Sequence, residues 1–361
     1  MMRRSFALLL GAITALVFAA GDGALAFNRG DARVDSDPGI RIFVREVRAS
    51  VTEDLGNPVL LIHGGGPGSL PNFEPMVPNY SLAEDIASVG HVVYLMDVRG
   101  FGNSTKPSSM ESTDPKTPPA VSADEAVRDI AAVVKWIRLR SREDRVALVG
   151  VGAGGAWAAL YATKNADRVS HLVLVNALYG VKAPWPPAKA LADAKNPDVF
   201  NPWAGAGFYL DASGLLADWD RSIPAADKSK WRDPRVAVSY VSLAMDGGKA
   251  PSIRIPGAFR KEHFEMAQGR KLWDARDLRV PTMYVRGSLD HWSRPEDLQA
   301  LLAELVNAPR KQFVLIHDAT HYLYLDRPEK GRAALVQELL VFLGNRQPAR
   351  EAQQKGQKSG R

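Results

Sequence analysis

At 361 residues, 46% hydrophobic and 24% charged, the chain is long enough for one large α/β domain carrying an insertion, or for two ordinary domains. Its net charge of +6 sits at the ends: five bases against one acid from Arg346 onward, and Arg3 and Arg4 against Asp22 in the first 26 residues. The nearly balanced middle argues against a nucleic-acid partner, and the absence of cysteine excludes disulfides, thiolate metal sites and a cysteine nucleophile.

The N-terminus reads as an export signal. Arg3-Arg4 precede an apolar stretch from Phe6 to Ala20, and Ala24-Leu25-Ala26 supplies a small-x-small cleavage site. Arg3-Arg4-Ser5-Phe6 resembles a twin-arginine signal. The apolar run falls short of a membrane span, so the expectation is cleavage after Ala26, a periplasmic or extracellular product and no stable span afterwards.

Residues 27–38 are polar and turn-rich, and are expected to precede the first strand rather than form one. Strands are predicted over Ile40–Val47, Pro58–Ile62 and His91–Met96, the second running into the glycine-rich turn His63-Gly64-Gly65-Gly66-Pro67-Gly68-Ser69. The third ends in Asp97-Val98-Arg99-Gly100-Phe101-Gly102-Asn103-Ser104, and residues 105–121 read as a surface loop. Ser122-Ala123-Asp124-Glu125 is a capping box, behind which Val127, Ile130, Val134 and Ile137 fall at helical spacing. A strand over Arg145–Gly150, a helix over residues 154–165 and a strand over Ser170–Val175 continue an alternation that predicts a mostly parallel sheet flanked by helices.

The alternation breaks at residues 181–271, dense in Pro, Gly and Asp and holding Trp185, Trp203, Trp219 and Trp231. This segment is expected to be a largely irregular inserted cap whose tryptophans act as packing anchors. The alternation resumes with strands over Val280–Arg286 and Lys311–Ile316 and helices over Pro295–Val306 and Pro328–Leu343. The organisation expected is an export signal (1–26), a core (27–180 and 272–345), a cap (181–271) and a basic disordered tail (346–361).

Five markers in order then resemble an α/β-hydrolase with a cap, over roughly residues 40–180 and 272–345. The HGGGPG turn at 63–68 is similar to the oxyanion loop of carbon–carbon bond hydrolases and prolyl aminopeptidases, and Asp97–Ser104 to the family's D-x-R-G-x-G-x-S turn. Val146 to Ala158 outlines the strand–turn–helix elbow. Gly287-Ser288-Leu289-Asp290 resembles the turn that presents the acid, and His317-Asp318-Ala319-Thr320-His321 the histidine loop. The resemblance implies Asp290 as acid, His321 as base, and oxyanion donors at Ala153 and at Gly65 or Gly66. A tetrahedral intermediate needs such backbone N–H groups to meet its charge, and an imidazole held by a carboxylate to move its proton.

The chain departs from the family at the decisive residue: the elbow reads Gly150-Val151-Gly152-Ala153-Gly154, with glycine where the nucleophilic serine belongs, and G-x-S-x-G occurs nowhere else. Three accounts follow. Gly152 ends covalent catalysis and leaves a ligand-binding protein; it makes room for water or substrate beside a general base; or it is an engineered Ser-to-Gly knockout. Ser69 and Ser104 are weak substitute nucleophiles, since neither lies at the elbow. His317 and His321 are spaced for a helical metal pair but fall in a loop, so neither a metal nor another cofactor is expected. The reaction class expected is general-base chemistry on a small, partly apolar ester, lactone or diketone, with a non-catalytic binding protein as the alternative.

Overall fold

The computed structural model describes residues 25–50 and 57–344. The basic tail lies outside them, as does the expected export signal apart from Leu25 and Ala26. In chain order the strands are β1 (Phe27–Asp35), β2 (Arg41–Ala49), β3 (Val59–Ile62), β4 (Val93–Met96), β5 (Val146–Val151), β6 (Val169–Val175), β7 (Gly207–Leu210), β8 (Ile253–Pro256), β9 (Thr282–Gly287) and β10 (Lys311–Ile316). The helices are α1 (Ser69–Phe73), α2 (Leu82–Ala87), α3 (Ala123–Ser141), α4 (Ala153–Lys164), α5 (Ala188–Leu191), α6 (Ala212–Asp220), α7 (Pro234–Ala244), α8 (Ala258–Ala267), α9 (Pro295–Glu304) and α10 (Arg332–Leu343).

Eight strands form one sheet in the order β1-β2-β4-β3-β5-β6-β9-β10. It is parallel from β4 to β10, and β1 and β2 extend it antiparallel at one edge. Strands β3, β4 and β5 are buried at every residue, because helices cover both faces. One apolar cluster lies under α3 and α4, the other under α2 and α10.

The expected strand over 40–47 is β2, but residues 27–38, read as irregular, contain β1. Most of β1 is exposed, so it lacks the alternation that marks a half-buried strand. Its register with β2 runs without a break from Phe27↔Ala49 to Asp35↔Arg41, a pairing made by backbone groups. The Ser122 capping box forms: Glu125 N donates to Ser122 Oγ at 3.4 Å and Ser122 N to Glu125 Oε2 at 2.9 Å. Ile130, Val134 and Ile137 are buried as expected, with Val127 half-buried. The helix expected from Pro328 instead opens with a 3-10 turn and begins at Arg332.

The segment between β6 and β9 is more regular than its composition suggests. It holds α5 to α8 and a two-stranded antiparallel sheet, β7–β8. Its helices start from local caps such as Asp211 and Asp233, whose carboxylates accept from Gly214 N at 2.7 Å and Arg235 N at 2.9 Å. Three of its tryptophans are anchors with a polar end. Trp185 Nε1 donates to Trp292 O (2.8 Å), Trp219 Nε1 to Asp326 Oδ1 (2.8 Å) and Trp231 Nε1 to Asp318 O (2.6 Å), each joining the insertion to a loop of the main sheet. Trp203 stays exposed at 55%.

The turn after β4 locks the antiparallel edge to the rest. Asp97 Oδ1 accepts from Ser69 N (2.6 Å) and Ser69 Oγ (2.7 Å), and Asp97 Oδ2 from Asn103 N (2.8 Å). Ser104 Oγ donates to Asp97 O (2.5 Å) and accepts from Phe43 N (2.8 Å). Both serines weighed as substitute nucleophiles are therefore engaged in holding this turn. Arg99 grips the fully buried Asp129 through Nη2–Oδ1 (2.6 Å) and reaches Asp37 at 2.7 Å. Truncating one partner strands a buried charge. Asp129→Ala is expected to cost about 3–5 kcal/mol in urea unfolding; a loss below about 1 kcal/mol would contradict this account of the turn.

Candidate functional site

The cavity opens at the carboxyl ends of β3, β5 and β10, where loops of an open parallel sheet are free of helix packing. At the end of β5 the chain reverses into α4 through Gly152, at φ +51° and ψ −119°. A side chain here is strained, at about 1–3 kcal/mol. Two residues on, Gly154 packs against the end of β3 so closely that a Cβ would collide with the carbonyls of Ile62 and His63. The reversal thus brings β3, its glycine loop and the start of α4 together.

His321 stands across from Gly152. A Cβ built on Gly152 would lie 3.4 Å from His321 Nε2 and 3.9 Å from Gly64 Cα. On the ring's far side, Nδ1 meets Asp290 Oδ1 at 2.7 Å, which makes Nδ1 the donor and leaves Nε2 as the acceptor facing the glycine. The buried Asp290 also accepts from Trp292 N (2.9 Å), from Ser293 N (2.9 Å) and from the Ser293 hydroxyl. Burial pushes the Asp290 carboxyl up, but the His321 charge and these hydrogen bonds hold it below its ordinary value. Burial also pushes His321 down, and the Asp290 carboxylate more than reverses that, so the imidazole is raised.

Gly64, Gly65, Gly66 and Ala153 line the cavity beside Gly152. A side chain on Gly65 would collide with the Phe259 ring, and one on Gly66 would approach the Tyr240 hydroxyl at 3.6 Å. Ala153 is the first residue of the twelve-residue α4, where the helix dipole favours negative charge. His63 itself is fully buried and structural: its Nε2 accepts from Val98 N at 3.0 Å and its Nδ1 donates to Gly64 O at 2.6 Å. His317 is exposed at the end of β10 and apart from the cavity wall.

The structure thus brings together Gly152, Ala153, Gly65, Gly66, Asp290 and His321, from four separate stretches of sequence. Residues that sequence reasoning missed complete the surroundings. Asn176, buried at the end of β6, donates to Thr320 O (3.1 Å) and His321 O (3.0 Å) and accepts from Gly287 N (2.9 Å), so it fixes the histidine loop against β9. Arg286 braces the acid turn through Asp290 O (3.2 Å) and Ser293 O (3.0 Å). Tyr322 Oη donates to Asp218 Oδ2 (2.8 Å), and Asp326, pushed up to about 6 by burial, accepts from Thr320 Oγ1 (2.6 Å). Of these, Tyr322 carried a faint signal, as the neighbour of the predicted base. Asn176 and Asp218 carried none.

The insertion supplies Phe208, Leu210, Leu215, Asp218, Arg221, Tyr240, Phe259 and Arg260 to the cavity, and the acid turn supplies Trp292. None of the four tryptophans singled out in the insertion lines it. With its mouth the cavity encloses about 850 Å³, and its lining mixes apolar and polar surface.

The chain matches the family model described as alpha/beta hydrolase fold over residues 57–328, more than half its length. Among curated proteins it is similar to 1-acylglycerol-3-phosphate O-acyltransferase ABHD5 of Sus scrofa, 28% identical over 84% of this chain and 82% of the relative. The Rattus norvegicus form is 30% identical, but that match covers 41% of this chain and spans only 39% of the relative's length. The 2-hydroxy-6-oxo-2,4-heptadienoate hydrolase of Pseudomonas putida is 30% identical over 34% of this chain and 38% of its own. Similar solved structures include a thermophilic esterase from Thermogutta terrifontis (TM-score 0.55, 21% identity, 87% of this chain and 100% of that one). A serine hydrolase involved in carbazole degradation (CarC enzyme) has a TM-score of 0.55 at 20% identity, over 88% of this chain and 99% of that one.

The elbow predicts an inverted response to a common stabilising change. In an ordinary helix glycine to alanine stabilises by about 0.4–1 kcal/mol. Gly152→Ala is expected to destabilise by about 1–3 kcal/mol, read by thermal unfolding, since its Cβ would sit at positive φ, a conformation strained for any side chain. A neutral or stabilising result would mean that the elbow is relaxed.

Proposed function

The chain belongs to the α/β-hydrolase family, and on that premise we propose that it is an exported enzyme hydrolysing a small, partly apolar ester, lactone or diketone without a covalent intermediate. The observation that carries this reading is the acceptor nitrogen of His321, braced by Asp290 at 2.7 Å and lying 3.4 Å from where a side chain on Gly152 would begin. The notch left by glycine has room for about one water beside Nε2.

In this reading His321 takes a proton from that water as its oxygen attacks the substrate carbonyl carbon. The carbonyl electron pair moves onto the oxygen, which the N–H groups of Ala153 and of Gly65 or Gly66 receive at the start of α4. The imidazolium, steadied by Asp290, then gives its proton to the departing alkoxide or carbanion as the tetrahedral intermediate collapses to acid. A positioned base contributes about 10²–10⁴-fold, and Ser-His-Asp protease sites stripped of a triad member keep about 10³–10⁴-fold over water. The export signal read from Arg3-Arg4 and Ala24-Leu25-Ala26 supports a periplasmic or extracellular location.

The second reading, a binding protein that has lost catalysis, draws on the same glycine, because removing the side chain relaxes the strained elbow. A panel of short aryl esters separates the two. The natural protein is expected to turn over at least one of them, and His321→Ala to lower kcat by about 10²–10⁴-fold. Absence of turnover across the panel, with ligand still held in the cavity, would favour binding alone.

The pH profile follows from the signs above. The base must be neutral, and His321 is raised above 6.5, so kcat/KM should rise with pH through a midpoint above 6.5. In Asp290→Asn the strongest raising influence on the ring is lost and only the weaker pulls of Asp218 and Asp326 oppose burial, so the midpoint should move down while the plateau rate falls. A midpoint that stays in place would remove Asp290 from the mechanism. Fractionation of cells producing the full chain tests export: a precursor retained in the cytoplasm would contradict it.

A further inference from the structure

Of the charged side chains on the cavity wall, all but one have a partner. Asp218 accepts from Tyr322 Oη at 2.8 Å and faces Arg221 and His291 at 3.7 Å, and His321 is paired with Asp290. Arg260, on α8, points its guanidinium against the Phe208 ring and forms neither an ion pair nor a side-chain hydrogen bond among the described residues. Both Phe208 and Arg260 line the same cavity as His321 and Gly152.

From this unmatched cation we infer that the pocket takes a substrate carrying a carboxylate apart from its reacting carbonyl, with Arg260 as the group that recognises it. The inference rests on the reading of this cavity as the substrate site, and not on the chemistry assigned to His321.

A guanidinium without a counter-ion in a half-closed cavity is an expense that folding does not require. Burial pushes Arg260 down to about 10, Asp218 opposing and Arg221 adding to that shift, so it stays charged at neutral pH and its desolvation is only partly relieved until an anion arrives. The Phe208 ring lies against the guanidinium, whose N–H groups have no hydrogen-bond partner among the described residues and so can serve a bidentate acceptor. The count of charges selects the kind of anion. Among the cavity-lining side chains Asp218 and Arg221 offset one another and leave Arg260, while the buried Asp290 carboxylate behind the neutral His321 opposes a second negative charge, so the site suits a monoanion. A phosphate monoester, near two negative charges at neutral pH, would bring one more than the wall can match. The apolar side chains Phe208, Leu210, Leu215 and Phe259 then receive the uncharged part of the molecule.

Calorimetric titration of the natural protein with phenylacetate, phenylacetamide and phenyl phosphate tests this without turnover, since phenylacetate and its amide present no ester to hydrolyse. Phenylacetate is expected to bind on the order of tenfold more tightly than the amide, the worth of one hydrogen bond to a charged group. The preference should vanish in Arg260→Gln with affinity for the amide unchanged, and survive in part in Arg260→Lys. Equal affinity for acid and amide, a preference that persists in Arg260→Gln, or tighter binding of phenyl phosphate overturns the assignment. Should neither acid nor amide bind while neutral aryl esters are still hydrolysed, this inference alone fails. Should binding and hydrolysis both be absent, the reading of the cavity as a substrate site fails with it.

Discussion

The structure turns on one reversal. Between Val151 and Ala153 the chain leaves a fully buried strand and enters a helix through a single residue at φ +51°. For the helix to start there, its first turn must lie against the end of β3, and only glycine at 154 lets it come that near the carbonyls of Ile62 and His63. That contact sets where the glycine loop passes, where the first N–H groups of α4 point, and how far away the histidine loop must stand. Glycine at 152 makes the reversal present a notch to the cavity instead of a hydroxyl.

Around the notch, burial and charge act against one another. Water is largely excluded from Asp290, so its carboxylate is tolerated only because His321, Ser293 and the backbone of the acid turn meet its lone pairs. The ring benefits in turn, since the buried carboxylate makes it a stronger base than burial alone would allow. Such a pair is a poor way to stabilise a fold, because an apolar pair of similar size serves as well or better. Its retention beside an elbow without a nucleophile is why proton transfer is the reading preferred over simple loss of function.

The insertion is tied down where the chemistry would be. Trp185, Trp219 and Trp231 each bury a large ring and donate an N–H to the acid turn or the histidine loop. Movement of the insertion would therefore disturb the loops that carry Asp290 and His321, coupling cavity shape to the arrangement of the base. Phe208, Leu215 and Phe259 come from this same segment, so the selectivity of the pocket and the stability of its loops draw on one set of packing contacts.

What the sequence determined by itself is local. Runs of buried β-branched residues, capping signals and glycine turns have short-range causes, so the alternation of strands and helices, the elbow and the loops presenting Asp290 and His321 were legible from pattern. Strand β1 was not, because its pairing depends on the backbone of β2 rather than on its own side chains. Nor were the helices of the insertion or the residues it lends to the cavity: Asp218, Tyr240 and Arg260 lie in no motif and come to line the cavity with His321 only when α6, α7 and α8 fold over the sheet. The sequence named an acid, a base and a missing nucleophile, since each sits in a turn with its own signature. Only the tertiary structure decided that they face one another across a notch with an unmatched cation on the same wall, because such distances depend on packing between segments far apart in the chain.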